Sequence, residues 1–241
     1  MLADRIMVWL LALALALCPV LASAQSPQVR AAVLGYVPPA AAAGLSIPSS
    51  NFNCGTATAP TVVLGATPAN TIIILHVETN SSAVSTIADT AGLTWSLTPR
   101  AQSGSGKLFE YSAKSAGSLA GDTITVTFLG STFYNLGALA IAGANFASPF
   151  DPNGSLPTVL ASGVPTVTTT NPNTVIYAIE RVNNGATPTP GAGFTAVAGS
   201  FSACFAMFQY KIVSFAQPGT SIPLTTGAGQ ELETITDAVT K

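Results

Sequence analysis

Thr123-Ile124-Thr125-Val126-Thr127-Phe128-Leu129 decides the fold class. Ile124, Val126 and Phe128 fall on one side of an extended chain; Thr123, Thr125 and Thr127 fall on the other. Successive side chains of a strand alternate faces, so this period of two describes a strand with one buried face. Gly121-Asp122 just before it has the chemistry of a turn.

The same reading extends outward. Thr71 to Thr79, Phe133 to Ala142 and Thr174 to Val182 are apolar on both faces, as central strands are. Ala83 to Ala88, Leu93 to Leu97, Lys107 to Ala113, Ala203 to Val213 and Glu231 to Val239 read as further strands. Gly and Pro punctuate the gaps, as in Thr187-Pro188-Thr189-Pro190-Gly191. No useful helical period follows residue 24. The pattern predicts an all-β, antiparallel β-sandwich. A jelly roll is the first expectation, because strand count and length exceed the seven strands and roughly 100 residues of a small immunoglobulin domain. An outer-membrane barrel fits less well. Such barrels need aromatic girdles and strands of about ten residues, whereas aromatics make up 7% of this chain.

The chain opens with Arg5, a charge-free run from Ile6 to Leu17, Pro19, and Ala22-Ser23-Ala24 before Gln25. A short apolar core behind a basic residue, ending in Ala-x-Ala, is the pattern of a signal peptide over 1–24. The run is shorter than the roughly 20 residues needed to span a bilayer. A lipidated Cys18 is disfavoured because Leu17 stands where a small residue is needed. Residues 25–48, with Pro27, Pro38-Pro39 and Ala40 to Ala43, read as a low-complexity linker. The β-sandwich domain is expected over 49–241. The predicted location is secreted, extracellular or periplasmic.

Charged residues are 7% of the chain and the net charge is −2, against roughly 25% charged in an ordinary soluble domain. With no basic face, nucleic acid is an unsuitable partner. Ser and Thr supply the polarity, which suits an extracellular β-protein meeting a glycan or another surface. Cys18 departs with the leader, leaving Cys54 and Cys204. An even pair in an exported chain reads as one disulfide, with two buried free thiols as the alternative.

A group of motifs carries a family resemblance: Asp89-Thr90-Ala91-Gly92-Leu93-Thr94-Trp95, Tyr111-Ser112-Ala113-Lys114, Gly121 to Thr127, Gly143-Ala144, Pro149-Phe150-Asp151 and Gly191-Ala192-Gly193-Phe194-Thr195. Over roughly residues 60–239 the chain resembles poorly characterised β-sandwich modules of bacterial secreted proteins and phage structural proteins. The resemblance implies a fold and brings no catalytic or binding residues with it.

Few residues point to chemistry. His76 is the only histidine, so a Ser–His–Asp triad would have to use it, yet no G-x-S-x-G elbow is present. It is expected at the polar rim of its strand. One histidine and no Cys-x-x-Cys argue against a zinc site. Glu78, Glu110 and Glu180 lie in strands and could face one cleft as the carboxylate pair of a glycosidase. Trp95 alternates with Leu93 and Leu97 and is expected to face the core rather than a sugar. Asp151-Pro152-Asn153-Gly154-Ser155 has the oxygen content of a calcium loop but lacks its closing Glu, so a turn is favoured. Asn80-Ser81-Ser82 and Asn153-Gly154-Ser155 match the glycosylation acceptor pattern. Glu231 and Glu233 are expected to guard a charged sheet edge. Together these features predict a non-catalytic structural or adhesive module without catalytic, cofactor or metal residues. A carbohydrate-binding module is the alternative and a glycoside-hydrolase-like enzyme the second alternative.

Overall fold

Two strands with buried residues on both faces organise the molecule. β3 (Thr71–Thr79) is buried at all nine positions, and β11 (Thr174–Val182) is buried everywhere except Arg181. Each is the middle strand of a five-stranded antiparallel sheet. They belong to a computed structural model that describes residues 44–182, 188–197, 204–225 and 231–241. The expected signal peptide over 1–24 and the linker as far as residue 43 lie outside the described residues.

The first half of the described chain contains β1 (Ser46–Ala57), β2 (Thr61–Leu64), β3, β4 (Val84–Asp89), β5 (Ala101–Gln102), β6 (Leu108–Ser115), β7 (Asp122–Phe128) and β8 (Thr132–Ala142). Its inner sheet has the order β1-β8-β3-β6-β5 and its outer sheet the order β2-β7-β4. The second half contains β9 (Thr158–Leu160), β10 (Thr166–Thr168), β11, β12 (Thr189–Pro190), β13 (Thr195–Ala196), β14 (Ala206–Val213), β15 (Pro218–Ser221), β16 (Leu224–Thr225) and β17 (Glu231–Thr240). Its inner sheet has the order β9-β17-β11-β14-β13, and its outer pairs are β10-β15 and β12-β16. Matching β1 to β9, β3 to β11, β6 to β14 and β8 to β17 superimposes the two strand orders. β15 and β16 together take the place of β7.

The registers repeat as well. Thr71 faces Ala142 on one side and Ser115 on the other; Thr174 faces Thr240 and Val213. Asn70 and Asn173, each just before its central strand, both have positive φ, 57° and 52°. Thr71 and Thr174 each donate a hydroxyl hydrogen bond to the carbonyl three residues back. The single unit from Gly44 to Lys241 is therefore a tandem of two like sandwiches.

The two inner sheets face each other. Ile72, Ile74, Leu139 and Ile141 of the first pack with Val175, Tyr177, Phe208 and Ile235 of the second. The opposite face of the first inner sheet meets the outer sheet through Leu75, Val77, Ile124 and Phe128. Ile176 and Ala178 meet Val167 and Ile222 on the far side of the second. Both faces of β3 and β11 are thus covered, which is why their sequences show no alternation. β7 has a core on one side only, and its burial alternates strictly.

Several boundaries differ from the sequence reading. The domain starts earlier than residue 49, because β1 begins at Ser46 opposite Ala142 and Leu45 and Ile47 pack on the seam between the halves. Leu93 to Leu97 is not a strand: the Asp89 carboxylate captures the Leu93 amide at 3.0 Å and the Trp95 indole N–H at 2.5 Å, so side-chain bonds replace a ladder. Cys204 precedes β14 instead of lying within it. β17 is no edge, being flanked by β11 and β9.

Candidate functional site

Ionisable side chains gather in the seam between the inner sheets. Glu78 on β3 accepts hydrogen bonds from Arg181 Nε at 3.0 Å and Asn135 Nδ2 at 2.6 Å. Asn135 also donates to the Cys204 carbonyl at 2.7 Å. Glu233 on β17 lies 3.9 Å from Arg181 and accepts from the Ser105 hydroxyl at 2.8 Å. A second group joins Glu110 on β6 to Tyr177, whose hydroxyl donates at 2.9 Å, and to Arg100 at 3.4 Å. Arg100 also pairs with Asp237 on β17 and stacks 3.5 Å over the Phe150 ring. Every pair except Asn135 with Glu78, Arg181 with Glu233 and Arg100 with Glu110 unites different halves or a half with the connecting segment, so most of these groups act as cross-links.

Burial sets their protonation. It pushes the Glu78 carboxyl up to about 7, although Asn135 and Arg181 pull the other way. It also raises Glu110 well above the usual range, and the negative Asp237 beside it raises it further. Burial raises the Asp237 carboxyl as well, against the pull of Arg100. A proton shared between two acids costs less than two buried charges side by side.

The structure does not bring the three expected glutamates to one cleft. Glu78 and Glu110 share the seam, at 2% and 0% exposure. Glu180 points to the other face of β11, beside Gln209 at 3.3 Å. His76 is not at a rim. It is wholly buried, between Phe52 and Phe208, and neither ring nitrogen has a partner. Burial lowers its pKa to about 3, so it stays neutral. Glu233 is buried and paired, which removes the edge-guarding role; the Glu231 side chain lies outside the described residues. Asp151 accepts from the backbone amides of Asn153, Thr170 and Asn171. Burial raises its carboxyl, those amides outweigh burial, and the net shift is downward. Its oxygens are turned to N–H donors, as in a structural turn. Among the described residues, no three His, Cys, Asp or Glu side chains gather as a metal site.

Cys54 and Cys204 stand at disulfide distance, with Cα atoms 5.8 Å apart. Cys54 lies on β1 opposite Asn135, so the pair spans the seam next to the Glu78 group.

One surface cleft of about 420 Å³ opens at the end of the first sandwich. The outer sheet has three strands against five in the inner one, so β6 and β5 extend past its edge strand β4. The segment held by Asp89 replaces a fourth outer strand and leaves a gap. Phe109 and Tyr111, alternate residues of β6 with rings 6.2 Å apart and 24° from parallel, lie in its floor. Leu97 and Pro99 form one wall. Asn80 to Ser82 and the hairpin carrying Gln102, Ser105 and Lys107 form the rest. Among the described residues, no Asp, Glu or His lines it. Sequence reading put Lys107, Phe109 and Tyr111 on a strand and singled out Asn80-Ser81-Ser82 only as a glycosylation pattern, because the cleft depends on where the outer sheet ends.

Comparison with protein-family models, curated proteins and solved structures finds no match. Among the described residues, no helix is long and apolar enough to cross a membrane.

Proposed function

We propose that the mature chain is a non-catalytic extracellular module, structural or adhesive, built from two stacked sandwiches. The observation that carries this reading is the separation of acids from access. The seam carboxylates are buried in cross-links, while the cleft open to solvent has no carboxylate or imidazole among its described lining residues. Such a cleft can bind but offers no pair of carboxylates for glycoside hydrolysis. The strand order, first beside eighth and second beside seventh, supports a jelly-roll reading of each half and accords with the secreted and phage-type modules the sequence resembles. The Cys54–Cys204 pair and the apolar leader support export.

A carbohydrate-binding role is the second reading, favoured by the polar rim of the cleft, with Lys107 its one charged described residue, over a floor that includes Phe109 and Tyr111. The test uses beads coated with mature protein and passed over insoluble polysaccharides. Retention without release of reducing ends is the expected result. Release of sugar that is abolished by Glu78→Gln or Glu110→Gln would overturn the non-catalytic reading. Export is tested by N-terminal sequencing of secreted protein, which should begin at Gln25.

A further inference from the structure

Within the cleft of the first sandwich, four polar groups lack partners. The Tyr111 residue is 3% exposed, lines the cleft, and its hydroxyl makes no hydrogen bond among the described residues. Its hydroxyl oxygen is open to the cleft rather than buried, so it is available to a ligand. The exposed side-chain amides of Asn80 and Gln102 and the half-buried Lys107 ammonium line the same cleft, solvated and with no hydrogen bond or ion pair to another described residue. Among the described residues, Arg100 and Arg181 are engaged in the seam and Lys114 on the carbonyls of Phe146 and Ala147. Lys107 stands at a rim with no acid, and Glu233, behind the Ser105 wall, has its oxygens taken by Ser105 and Arg181.

We propose that this cleft binds an acidic sugar, a pyranose bearing a carboxylate, with Lys107 on the acid and Tyr111, Asn80 and Gln102 on the ring oxygens. This deepens the adhesive reading and rests on it. One cation suits a singly charged carboxylate better than a phosphate dianion, which is ordinarily held by several donors or a backbone nest. The edges of the Phe109 and Tyr111 rings that reach the cleft give a sugar ring an apolar contact, and the amides and hydroxyls suit its alternating donors and acceptors. The volume falls within the usual range of small-ligand sites, about 300–1,000 Å³. Burial holds the Tyr111 phenol neutral, with its pKa pushed up to about 12, so its O–H remains a donor across the working pH range.

Titration calorimetry on the mature chain decides the matter, with an oligomer of a hexuronic acid and a neutral glucose oligomer of equal length as probes. The uronate should bind at least about tenfold more tightly, and the preference should shrink with added salt. Lys107→Gln should weaken uronate binding about tenfold while leaving neutral-oligomer binding unchanged; Tyr111→Phe should weaken both. Melting temperatures close to wild type would show that the variants fold. Equal affinity for the two oligomers, no binding of either, or uronate binding indifferent to Lys107→Gln would overturn the inference. Bead retention on polysaccharide is read separately, so the adhesive reading can survive that outcome. Loss of retention as well would remove both.

Discussion

Gly137 shows at the scale of one residue how the halves meet. A Cβ there would lie 2.6 Å from Phe208 Cδ1 and 3.2 Å from Phe52 Cδ2. Phe208 comes from the second half and rests on the bare backbone of β8, where it also meets the His76 ring. Gly137→Ala should cost about 1–3 kcal/mol through overpacking. In urea unfolding this appears as a lower midpoint with an unchanged slope; an unchanged midpoint would mean that Phe208 moves aside freely. Arg181 makes a complementary case. Removing it by Arg181→Met leaves Glu78 and Glu233 buried without their cation, at a cost of about 3 kcal/mol. Pairing it with Glu78→Gln should restore a good part of the loss, because the stranded charge is then gone. A double variant no more stable than the single would refute the pairing of these two side chains.

At the scale of elements, the bridge between β1 and the approach to β14 closes a long loop. Its partners are 150 residues apart in sequence. The chain-entropy model gives at most about 5 kcal/mol for a loop of that size, a large share of a typical 5–15 kcal/mol total. Denatured, unreduced mature protein should therefore show no free thiol. The Cys54→Ser, Cys204→Ser double variant should melt well below wild type; equal melting would mean that the cross-seam contacts suffice alone. β17 shows how position overrides composition. Its run of Glu, Thr and Asp resembles an exposed edge, yet Thr234, Thr236 and Asp237 are fully buried because β9 covers one side and the first half covers a face.

For the whole molecule, the seam links stability to pH. His76 titrates near 6.5 when unfolded and at about 3 when folded, so the unfolded chain binds the extra proton between these values. Its contribution is lost as pH falls through that window. Glu78 is shifted the other way, from 4.5 to about 7, and its contribution is lost as pH rises through that window. Between 4.5 and 6.5 the two oppose each other, leaving the raised Glu110 and Asp237 to tilt the balance against higher pH. Below that range His76 and the lowered Asp151 act against acid, and the raised Asp122 and Asp237 oppose them only above their ordinary value of 3.8. Thermal stability should therefore be greatest at about pH 4.5–5 and decline on both sides, each pH unit of unmatched proton uptake being worth about 1.4 kcal/mol. Calorimetric melting across the acid-to-alkaline range checks this, and Glu110→Gln should flatten the alkaline side. A melting temperature that climbs steadily from about pH 5 to about pH 8 would contradict it.

Local pattern in the sequence was enough to determine the strand class, because strand periodicity and turn chemistry act between near neighbours. TITVTFL, TIIILHVET and Thr174 to Val182 all form strands where their residues demand it. The duplication was also legible, though it escaped the strand-by-strand reading. Asn70-Thr71 recurs as Asn173-Thr174, and Ala91-Gly92-Leu93-Thr94 as Ala192-Gly193-Phe194-Thr195, with Gly92 and Gly193 both at positive φ. The repeat is hidden because turns are retained while core residues diverge: His76 corresponds to Ile179, Glu78 to Arg181, and Glu110 to Phe208 by register. Only the tertiary structure decided that the inner sheets pack against each other. That packing turned a rim histidine into a core residue, an edge glutamate into a buried ion-pair partner, and the end of the outer sheet into a cleft. Burial and ion pairing depend on what a face is placed against, and distant segments of the chain supply that partner.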